Sequence, residues 1–189
     1  MSVPILITFG SNVDPLAHLW KGLTLLHQKL PIEAISTVYR TPALGHDHQP
    51  MLGPNRPPDY LNGALLTLST IEPFTLRHLL RHIEDQLQRV RHKDRYAPRT
   101  LDLDIALMGN LILQKRSLSI PDPDIPKRNF LSVPLAQLAP DLIHPLYGLT
   151  LANMARGLEV GMSVDLEATA SLQTIKKKGG GLEVHPPSF

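Results

Sequence analysis

Between residues 89 and 108 (RVRHKDRYAPRTLDLDIALM) a basic stretch runs into an apolar segment carrying two carboxylates, Asp102 and Asp104. Alternate side chains of a strand share a face, so these aspartates stand together, about 7 Å apart, with Leu101, Leu103 and Ile105 facing the other way. That spacing suits a hard divalent cation such as Mg²⁺, which takes one or two carboxylates and completes its shell with water and phosphate oxygens. Arg89, Arg91 and Arg99 lie just upstream, and guanidinium forks match phosphate oxygens bidentately. Metal and arginine together point to a nucleotide polyphosphate. Taken alone, a D-x-D pair is common and fits a solvated edge strand equally well; Pro98-Arg99 and the density of basic residues in one loop favour the chemical reading.

Several elements must position this stretch. Residues 3–9 predict a strand ending at Gly10-Ser11-Asn12, and Asp14-Pro15 suit the cap and first position of a helix running to about residue 29. Leu16, Leu19, Leu23, Leu26 and Leu30 give that helix an apolar face, with Trp20 assigned to the core. A second strand is predicted over 32–39, followed by Thr41-Pro42-Ala43-Leu44-Gly45 and a proline-rich connection to residue 59. The third strand, 60–68, carries Asn62, which could face a pocket or merely flank the turn. A second helix, 73–90, places Leu76, Leu79, Leu80, Ile83, Leu87 and Val90 on its apolar face and Arg81, Glu84, Asp85 and Gln88 on others. After the aspartate strand come Gly109-Asn110, short β segments at 111–113 and 118–120, and a break at 121–126. A mostly helical region containing Arg128 and Phe130 follows, then a further helix over 149–158. Lys176-Lys177-Lys178-Gly179-Gly180-Gly181 and the end of the chain read as a flexible tail.

The 189 residues, 42% hydrophobic and 19% charged, suit one domain with a real core, and a formal charge of +2 argues against general nucleic-acid binding. Without cysteine there are no disulfides or thiolate metal sites, and neither a signal segment nor a membrane span is expected, so a cytoplasmic setting follows. His78 and His82, four apart on the predicted helix, and His46 and His48 in the long loop have zinc-like spacings but no third ligand. No Walker loop, G-x-G-x-x-G or nucleophile elbow occurs, so familiar glycine loops do not hold the nucleotide.

The run RYAPRTLDLDIALMG strongly resembles the signature of the 6-hydroxymethyl-7,8-dihydropterin pyrophosphokinase family, and ILITFGSN, VYRTPALG, PDYLNGALL, IEDQLQRVR, IPDPDIPKRNFLSVPL and LAPDLIHP resemble its other blocks in order. The resemblance implies an α+β fold, a ferredoxin-like α/β sandwich with a mainly antiparallel sheet and helices packed on it. It implies a pyrophosphokinase domain over residues 1–160, with 161–189 a flexible extension. The implied reaction moves diphosphate from ATP to the pterin alcohol. Asp102 and Asp104 would hold two Mg²⁺ ions, Arg91, Arg99 and Arg128 would line the polyphosphate with Arg89 close by, and Glu84, Ile105 and Asp122 match positions on the nucleotide side. Thr41, Pro42, Leu44, Tyr60, Asn62, Tyr96 and Phe130 match the pterin side. ATP and the pterin are the expected partners of a monomer that binds neither nucleic acid nor membrane.

Three features depart from the family pattern. Asp122 stands where a histidine is common, replacing a donor to phosphate with an acceptor; Tyr96 replaces a tryptophan, and Ala97 a glycine. The connection at 45–59 is also longer than usual. Two rival classes remain open: another D-x-D metal-dependent nucleotide enzyme, and a non-catalytic descendant that binds pterin or ATP without turnover.

Overall fold

Strand β1 (Val3–Ser11) is apolar on both sides, and in the computed structural model, which describes residues 1–45, 49–51, 53–91, 97–158 and 161–175, it lies inside the sheet. It pairs antiparallel with β4 (Tyr60–Ser69) from Val3↔Ser69 to Ser11↔Leu61, and on its other side with β5 (Asp102–Met108). Strands β2 (Ala34–Ile35) and β3 (Tyr39–Thr41) both pair with β4, giving the order β5-β1-β4-β3. With α1 (Pro15–Lys29) and α2 (Pro73–Gln86) between strands, the chain follows the β-α-β-β-α-β path of a ferredoxin-like α+β sandwich. Strands β6 (Leu113–Lys115) and β7 (Leu118–Ile120) make a separate hairpin.

Helices cover both faces. Ile5, Ile7 and Phe9 of β1 pack with Leu19, Leu23 and Leu26 of α1 and Leu76, Leu80 and Ile83 of α2. On the opposite face Leu6 and Leu107 pack with Leu135 of α3 (Asn129–Leu138) and Leu151 of α4 (Leu151–Ala155). As the period-2 pattern requires, Leu101, Leu103 and Ile105 join the first core while Asp102 and Asp104 point the other way.

The sheet register sets the site. Gly10 of β1 lies opposite Asn62 of β4 on one side and Asp102 of β5 on the other, and Thr8 lies opposite Asp104. Cross-strand partners share a face, so Asn62 and Asp102 stand on the same face about 10 Å apart with only a glycine between them. A side chain at Gly10 would bring its Cβ to 2.7 Å from Asn62 Oδ1, so the glycine keeps this row open.

Four expectations change. The strand predicted over 32–39 is broken, because Ser36 bonds back through its hydroxyl to Ala64 N–H and Val38 N–H turns to Thr169 Oγ1. Helix α2 stops at Gln86: Gln88 adopts a left-handed φ of 58°, and Arg89 leaves the helix. Asp14 occupies the cap position of α1 with φ 42° and makes no side-chain capping bond. The boundary at residue 160 moves furthest. Ser163–Val164 (β8) pairs with β3, and α5 (Leu166–Gln173), capped by Asp165, packs on α1 with Leu172 and Ile175 in the core. Burying each such side chain contributes about 1.5–3 kcal/mol, so this segment belongs to the folded unit rather than to a flexible extension. The remainder of the expected tail, 176–189, lies outside the described residues.

Candidate active site

Glu84 organises the basic side of the site. The periodicity of α2 set it away from the core, yet it is 4% exposed, because its Oε1 accepts a hydrogen bond of 2.9 Å from Leu103 N–H on β5 and another from Arg89. Its Oε2 accepts from Arg91 at 2.8 Å, and Arg91 also pairs with Asp85. Arg89 in turn donates to Leu101 C=O at 3.1 Å and pairs with Asp102, whose second oxygen pairs with Arg99. One buried carboxylate thus aims two arginines, and two of the three arginines converge on the first aspartate of the strand. Burial raises the Glu84 carboxyl above its ordinary range, against the pull of Arg89.

Asp104 is different. Its carboxylate makes no hydrogen bond or ion pair among the described residues, and the residue is solvent-exposed although neighbouring protein atoms crowd its carboxyl. Partial loss of water to that crowding, reinforced by the negative charges of Asp102, Asp122 and Glu84, pushes its carboxyl up to about 7. Such a surplus of negative charge is what a divalent cation would relieve, so the pair fits Mg²⁺. No cluster of three or more acidic or histidine ligands exists among the described residues, so two carboxylates are the protein's share and water or phosphate must supply the rest.

Two cavities meet at this pair. The first, about 320 Å³, runs between edge strand β5 and α2 and is lined by Arg77, Arg81, Glu84, Arg89, Arg91 and Ile105 among others. The second, about 410 Å³, lies over the sheet face against the start of α3 and is lined by Gly10, Thr41, Pro42, Leu44, Tyr60, Asn62 and Phe130, with Asp122, Asp124 and Arg128 on its far side. Arg99, Asp102 and Asp104 line both and form their common wall. In the second cavity Asn62 Nδ2 donates to Thr41 Oγ1 at 2.8 Å, which fixes the amide, and Tyr60 is half-buried.

The profile of the 7,8-dihydro-6-hydroxymethylpterin-pyrophosphokinase (HPPK) family matches residues 6–140. The chain belongs to the HPPK family. A 2-amino-4-hydroxy-6-hydroxymethyldihydropteridine pyrophosphokinase of Synechocystis is 31% identical over 85% of this chain and 85% of its own length, and that of Haemophilus influenzae is 36% identical over 74% and 83%. A solved HPPK-DHPS triple mutant of Plasmodium falciparum with pteroate shares the fold, with a TM-score of 0.63 at 10% identity. This chain matches it over 87% of its own length but spans only 47% of that larger chain.

Of the residues expected from HPPK resemblance, the structure brings Glu84, Arg89, Arg91, Arg99, Asp102, Asp104 and Ile105 around the first cavity, and Thr41, Pro42, Leu44, Tyr60, Asn62 and Phe130 around the second. Asp122 and Arg128, expected on the nucleotide side, line the second cavity. Asp122 is turned inward, accepting Asp124 N–H at 2.8 Å, and burial raises its carboxyl. Tyr96, His46 and His48 lie outside the described residues. Sequence reasoning missed Arg77, Arg81, Thr8 and Gly10. The signal for the first two was present: residues four apart on α2 share a face with Glu84.

Proposed function

We propose that the chain transfers the diphosphate of ATP to the hydroxymethyl group of 6-hydroxymethyl-7,8-dihydropterin, releasing AMP and the pterin diphosphate. The observation that carries this reading is the wall of Arg99, Asp102 and Asp104 common to a cavity rich in arginine and one that carries Asn62, Tyr60, Pro42, Leu44 and Phe130. ATP occupies the first cavity and the pterin the second, so the β-phosphorus and the attacking hydroxyl meet over the two aspartates. The hydroxymethyl oxygen bonds to the β-phosphorus, the bond from that phosphorus to the oxygen bridging to the α-phosphate breaks, and the hydroxyl proton leaves to solvent.

The protein's work is alignment and charge neutralisation, and no covalent intermediate is required. Arg89, Arg91 and Arg99 are held in place by Glu84, Asp85 and Asp102 and present their guanidinium groups to the polyphosphate. Asn62, fixed by Thr41, reads the polar edge of the pterin, and Pro42, Leu44 and Phe130 enclose its ring. Asp102 and Asp104 would hold two Mg²⁺ ions, which supply neutralisation of the phosphates and a more acidic hydroxyl. We infer further that the enzyme acts as a monomer in the cytoplasm. No helix among the described residues is long and apolar enough to cross a membrane.

The test is to incubate the protein with ATP, Mg²⁺ and the pterin and to measure AMP and pterin diphosphate. Equal amounts of both, lost without metal, support the transfer; AMP formed without pterin, or saturable binding without turnover, would overturn it.

A further inference from the structure

The first cavity holds more positive charge than the polyphosphate contacts above account for. Arg89, Arg91 and Arg99 are each committed to a carboxylate, but Arg77 and Arg81 make no ion pair or hydrogen bond among the described residues. They stand four apart on α2, where like charges sit about 5–6 Å apart at the Cβ atoms and disfavour the helix. Arg77 is half-buried, and burial together with the charge of Arg81 pulls its guanidinium below its ordinary range. A half-buried cation beside an exposed one on the same cavity wall is offset by an anion.

Which anion follows from the two cavities. The transferred diphosphate must reach the wall shared with the second cavity, whereas Arg77 and Arg81 line the first cavity only. Groups confined there meet the part of the nucleotide that stays behind. That part is a nucleoside monophosphate, and its one anionic group is the α-phosphate. We propose that Arg77 and Arg81 form a guanidinium clamp for the α-phosphate, gripping the leaving group of the reaction and retaining it as the AMP product. The clamp adds a second, protein-specific anchor to the nucleotide, independent of the aspartates. It rests on the transfer reaction proposed above, and its test separates the two.

The measurement is calorimetric binding of ATP, AMP and adenosine to the full chain and to Arg77→Ala, Arg81→Ala, the double substitution and Arg77→Lys/Arg81→Lys, with thermal melting alongside. The double alanine variant should bind AMP at least about tenfold more weakly, as expected for lost charge-assisted bonds. Adenosine binding should stay within twofold and the melting temperature should be unchanged or higher. The double lysine variant should recover part of the AMP affinity as a point charge without the fork. AMP affinity unaltered in the double alanine variant, or AMP and adenosine weakened by the same factor, overturns the clamp. Binding needs no turnover, so a chain that binds AMP through this pair yet transfers no diphosphate would defeat the proposed reaction and leave the clamp standing.

Discussion

The two cavities share three residues and differ in nearly everything else. Among the described residues, five arginines face three carboxylates in the first, while two arginines face four carboxylates in the second. A polyanion is therefore attracted into the first cavity and a cation to the boundary, while the second offers an uncharged ring an apolar enclosure with one fixed amide. On the function proposed above, the difference teaches how a small domain would separate two substrates without two domains. A single edge strand, with aspartates at alternate positions, serves as the partition.

The comparison breaks most severely at the partition. Asp102→Ala and Asp104→Ala should each lower turnover by about a thousandfold, since each removes half of the protein's metal ligation from both cavities at once. Stopped assays of AMP release measure this, and near-normal turnover in either variant would dismiss the partition. Next in size, Glu84→Gln should raise the KM for ATP by about tenfold or more with little change in that for the pterin, because the charge aiming Arg89 and Arg91 is gone. Asn62→Ala should do the reverse, weakening pterin binding by about tenfold and sparing ATP, as intrinsic pterin fluorescence titration would report. A variant in either cavity that shifted both substrates equally would show that the two are not separate.

The smallest effect concerns pH. Held at about 7, the Asp104 carboxyl keeps its proton more tightly in the folded chain than in the unfolded one. Its contribution to stability is therefore present at low pH and lost as pH rises from 3.8 through about 7. Metal must displace that proton, so Mg²⁺ affinity should climb through the same window and level off above it. Asp104→Asn should stabilise the metal-free chain at pH 8 by on the order of 1 kcal/mol, a figure reduced by the solvent at its edge, and by nothing measurable near pH 4. Denaturant melts at the two pH values decide this.

Much of this arrangement was legible in the sequence because it depends on local period. The two-residue alternation of 101–105 separated the aspartates from the leucines before any fold was known, and the leucine spacing of α1 named its buried face. What stayed hidden depends on contacts distant in sequence. Glu84 was assigned to a polar face of α2, since helical period says nothing of the Leu103 N–H that draws it inward. Which cavity Asp122 and Arg128 line depends on where the segment after β7 crosses the sheet, and local period says nothing of that. The segment 163–175 reads as tail because α5 is short and weakly patterned; its pairing with β3, the bond from Val38 N–H to Thr169 Oγ1 and the burial of Leu172 and Ile175 make it part of the core.

The central claim is that the substrates occupy separate cavities and meet at Asp102 and Asp104. A crystal structure of the chain with Mg²⁺, a non-hydrolysable ATP analogue and the pterin tests it most directly. The account predicts the nucleotide between β5 and α2, the pterin between Asn62 and Phe130, and the β-phosphorus over the two aspartates with metal between. A nucleotide seated beside Arg128 in the second cavity, or a metal bound away from both aspartates, would contradict it.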